Sequence, residues 1–91
     1  MANHYRITVE PLSADRAEKD APLVFEAESH DDIIAIVRRV KEKGILPEEQ
    51  VPAFVTGLKL FGGVMLKNRT LPLFSDVMGA FATFMKALKA A

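Results

Sequence analysis

The sequence predicts an α+β fold: an N-terminal antiparallel β-hairpin followed by three α-helices, with the helices packed on one face of the hairpin. Three observations predict it. Two short segments near the N-terminus alternate apolar and polar residues. Three later segments carry apolar residues at helical spacing. Start and stop residues (Ser29 and Gly44, Pro52 and Asn68, then Pro72) bracket those helices. The order is therefore β-β-α-α-α, and at 91 residues the chain is expected to form one domain, residues 1–91.

The first strand runs through His4–Glu10, with Tyr5, Ile7 and Val9 on one face and His4, Arg6, Thr8 and Glu10 on the other. Residues 11–22 are polar, acidic and rich in turn formers, and read as a mobile loop. The second strand, Leu23–Glu28, turns Leu23, Phe25 and Ala27 inward. Parity allows Tyr5 opposite Ala27, Ile7 opposite Phe25 and Val9 opposite Leu23, which gathers the apolar side chains on one face, and shifts by two residues would keep the same parity. The same register sets Arg6 across from Glu26, an opposite-charge pair contributing about 0.2–1 kcal/mol.

The first helix is expected over residues 29–44. Ser29 serves as N-cap, Asp31 and Asp32 sit at the positive dipole end, and Gly44 closes it. Ile33, Ile36, Val37 and Val40 form its stripe, while Ala35, Arg38, Arg39 and Glu42 face water. Ile45-Leu46-Pro47 breaks the chain. Pro52 fits the first turn of a second helix whose stripe is Phe54, Leu58, Phe61 and Met65, widened by Val51, Val55 and Leu66. Asn68 is expected to end it in a left-handed turn. Pro72 opens a third helix with the stripe Phe74, Val77, Met78, Phe81, Met85 and Leu88.

Composition narrows the function. With 49% hydrophobic and 26% charged residues, the chain has enough apolar surface to fold. It has no cysteine, which excludes disulfides, thiolate nucleophiles and cysteine-based metal cages. The N-terminus lacks the cationic and apolar stretches of a secretory signal, and no apolar run approaches the ~18–20 residues that cross a bilayer. A cytoplasmic protein without a membrane partner is expected. Net charge is zero, yet residues 1–50 hold seven basic against eleven acidic side chains and residues 51–91 five against one. In a neutral chain, that asymmetry reads as halves attracting each other rather than as a nucleic-acid surface.

Each candidate for chemistry has a plainer competitor. His4, Glu28 and His30 could hold a divalent metal, but no recognised ligand spacing is present and a strand-end charge pair explains them. Lys59, Lys67 and Arg69 could bind an anion, but a helix C-terminus attracts cations and is the wrong pole for phosphate. Residues 38–43 are basic, but Glu42 interrupts them and no aromatic is interleaved for base stacking. Gly57, Gly62 and Gly63 within a helix cost about 1 kcal/mol each against Ala, so close approach of another helix, through the Gly79-Ala80-Ala82 surface, is expected. The phenylalanines and methionines of the last two helices (Phe54, Phe61, Met65, Phe74, Met78, Phe81, Phe84, Met85) could line an apolar pocket, but residues of these types at this spacing build cores.

The segments Gly57–Phe61, Met65–Arg69, Pro72–Phe74 and Phe84–Lys89, with His30-Asp31-Asp32 and Tyr5–Glu10, resemble a small bacterial family catalogued only as a domain of unknown function. The resemblance spans nearly the whole chain. It implies a compact, intracellular α+β domain and carries over no cofactor and no catalytic residue.

The expectation is a non-enzymatic, homodimeric interaction or regulatory module that binds itself and another protein. A small-ligand-binding domain or minor enzyme, with its site between hairpin and helices, is the alternative. Against that alternative, Tyr5 is the one inward-facing polar side chain, and enzymes need positioned acid, base or nucleophilic groups.

Overall fold

A computed structural model describes residues 2–91, the side chains of Ala17 and Glu18 excepted. The chain divides into two compact units, one ending at Asp31 and one spanning Asp32–Ala91.

The first unit is a two-stranded antiparallel sheet, β1 (Asn3–Val9) and β2 (Leu23–Ser29). Its register sets Tyr5 against Ala27, Ile7 against Phe25 and Val9 against Leu23, as the apolar parity predicts. Arg6 lies 4.0 Å from Glu26 and His4 3.5 Å from Glu28, both on the polar face. The inward reading of the other face needs correction: Leu23, Phe25 and Val9 remain exposed, while Tyr5, Ile7 and Ala27 are half-buried. Between the strands, the segment read as a loop contains a short helix, α1 (Ala14–Lys19). Its residues are mostly good helix formers, and Arg16 pairs with Asp20 one turn on, at 2.7 Å.

The second unit is helical. In α2 (Ile33–Lys43) the N-cap is Asp32, whose carboxylate accepts from the Ala35 N–H at 3.1 Å. Ser29 does not cap. The strand ladder holds it opposite Asn3, and its hydroxyl accepts from the Asp31 N–H at 3.2 Å. Gly44 ends α2 with φ of 67°, the left-handed terminator expected of glycine. Ile33 and Val40 are buried, Ile36 and Val37 half-buried, and Arg38, Arg39 and Glu42 exposed, as read from the stripe. Ala35, expected to face water, is half-buried.

After Pro47, a 3₁₀ turn (Glu48–Gln50) leads into α3 (Val51–Lys67), with Pro52 in its first turn. The buried line of α3 is Val51, Val55, Gly62 and Met65. Phe61 and Leu66, assigned to the buried stripe, are exposed. The helix is apolar on nearly every side, so periodicity alone does not choose its inner face; packing against α2 does. Asn68 closes α3 differently from expectation. Its φ is −124°, not left-handed, and its side-chain amide donates to the Val64 carbonyl at 2.8 Å.

The expected third helix is two. A single turn, α4 (Pro72–Ser75), is followed by α5 (Met78–Ala90). The Ser75 hydroxyl donates back to the Pro72 carbonyl at 3.2 Å, and Ser75-Asp76 are poor interior helix residues. Among the described residues there are therefore five α-helices, three of them long, where three were expected. Phe74, Met78, Phe81, Met85 and Leu88 are half-buried, and Val77 is exposed. No helix among the described residues is long and apolar enough to cross a membrane.

Candidate functional site

The hairpin register brings His4 Nε2 to 3.5 Å from Glu28 Oε1, with both side chains more than half exposed. His30 lies one residue beyond β2. Among the described residues, no three His, Cys, Asp or Glu side chains gather where they could hold a metal ion. A surface charge pair accounts for His4 and Glu28.

Lys67 and Arg69 are exposed at the C-terminal end of α3, and Lys59 is half-buried two turns earlier. Eight helical residues separate Lys59 from Lys67, a rise of about 12 Å, so one small anion does not span them along the axis. Lys67 stands at the negative pole of the helix, beside carbonyls that Asn68 caps. The basic residues Arg38, Arg39, Lys41 and Lys43 are exposed on α2, with Glu42 among them and no aromatic on that helix.

The aromatic side chains do converge. Phe61 contacts both Phe74 and Phe81, and Phe54 contacts Phe84, each pair with ring centroids 6.2 Å apart in tilted or edge-on geometry. They form a seam that fixes α3 against α4 and α5. Gly62 sits within that seam. A Cβ placed there would lie 3.2 Å from the ring tip of Phe81. The close approach expected of the helix glycines is thus met at Gly62, by an aromatic ring rather than by the Gly79-Ala80-Ala82 surface. Gly57, Gly63 and Gly79 have open space where a Cβ would stand.

Every buried large side chain among the described residues is apolar, and none is polar or charged. The apolar richness of so small a chain hints at surface left over for a partner, and the structure shows which side chains form it. Fourteen large apolar side chains among the described residues are exposed, against five buried. Phe61, Val64, Leu66, Leu71 and Leu73 follow one another along α3, the turn after it and α4. The signal was available in α3, where apolar residues exceed what one buried face can take.

Comparison with known proteins places these features. Residues 3–90 match a family described as a domain of unknown function with a solved structure, DUF3861. The chain belongs to the DUF3861 family. It is also similar to a protein of unknown function from Pectobacterium atrosepticum, known from a crystal structure. The two are 40% identical with a TM-score of 0.89, and the match covers 100% of each chain. The DUF3861 assignment agrees with the family resemblance drawn from the packing-rich segments. No curated protein matches the chain.

Proposed function

We propose that this DUF3861 chain is a non-enzymatic, homodimeric interaction module that acts in the cytoplasm and regulates or tethers another protein. The observation that carries this reading is the excess of exposed apolar side chains over buried ones. A folded monomer of this size gains stability from covering such groups, at about 25 cal/mol per Å² removed from water. Contiguous apolar patches on small proteins mark interaction sites.

A second copy is the simplest occupant, because the neutral chain carries complementary halves. The unit ending at Asp31 holds three basic against seven acidic residues, and the unit from Asp32 nine against five.

Light scattering on a sizing column at micromolar concentration tests the dimer. The expected species has twice the 10.0 kDa chain mass, and a monomer throughout that range would refute the reading. Affinity capture from the native cell then identifies the second protein.

A further inference from the structure

We draw no further inference here: the strongest candidate, the exposed apolar patch of Phe61, Val64, Leu66, Leu71 and Leu73 along α3, the turn after it and α4, carries nothing because nothing in the structure shows what covers it.

Discussion

Phe81 of α5 lies against Gly62 of α3, so close that a Cβ on Gly62 would stand 3.2 Å from its ring tip. The glycine is buried, and the ring also contacts Phe61. One glycine thus sets how near the last long helix comes to α3. Gly62→Val should destabilise the protein by about 1–3 kcal/mol through overpacking. In a Phe81→Ala background the same substitution should cost less, because the two side chains no longer compete for one space. Urea denaturation of the four proteins measures the coupling.

Gly57 and Gly63 present the opposite case. Neither has a neighbour where a Cβ would go, and both lie within α3. Alanine at either position should stabilise by about 0.5–1 kcal/mol through helix propensity and reduced unfolded-state entropy. Gly44→Ala should destabilise by about 1–2 kcal/mol, since the left-handed backbone at φ 67° disfavours a side chain. Thermal melts that rank Gly44→Ala at or above the parent protein would contradict this account.

Capping at α2 discriminates between two neighbouring candidates. Asp32→Ala should cost about 0.5–2 kcal/mol, because its carboxylate alone satisfies the Ala35 N–H among the contacts described. Ser29→Ala, which removes only a local bond to the Asp31 N–H, should cost less than Asp32→Ala. Equal losses in denaturant midpoint would mean that Ser29 shares the capping role.

Met65 and Leu66 are adjacent but lie in opposite environments, 0% and 55% exposed. Met65→Ala should cost about 2–5 kcal/mol. Leu66→Ala should leave the folded chain's stability within about 0.5 kcal/mol, as surface substitutions do. A large loss at Leu66 that grows with protein concentration would place it in the subunit interface.

These contrasts show where the sequence was legible. Strand parity placed Tyr5, Ile7, Phe25 and Ala27 on one face, because a one-residue slip would mix the two faces, and the structure adopts the register in which Tyr5 meets Ala27 and Ile7 meets Phe25. Gly44 was legible because a left-handed turn requires its missing Cβ. Ser29 and Asp32 were confused because both accept hydrogen bonds at helix starts, and only the length of the strand ladder decides which one caps. The break between α4 and α5 was hidden because Phe74, Met78, Phe81 and Met85 keep a helical spacing across it.

The candidate site was legible mainly as chemistry that the chain lacks. The sequence excluded cysteine chemistry and showed no recognised metal spacing. It did not reveal how many apolar groups would stay at the surface, because period records which residues share a face and not whether that face is covered.

By itself, then, the sequence determined a two-stranded hairpin ahead of the long helices, which side chains share each face of that hairpin, and the glycine stop of α2. Each follows from local sterics or from strict side-chain alternation. Only tertiary structure decided that Val51, Val55 and Met65 are interior while Phe61 and Leu66 are not, and that the ring of Phe81 fills the space beside Gly62. The physical reason is that burial is a property of pairs of surfaces. A helix as uniformly apolar as α3 acquires an inside only when α2 and the aromatic seam of α4 and α5 close against it.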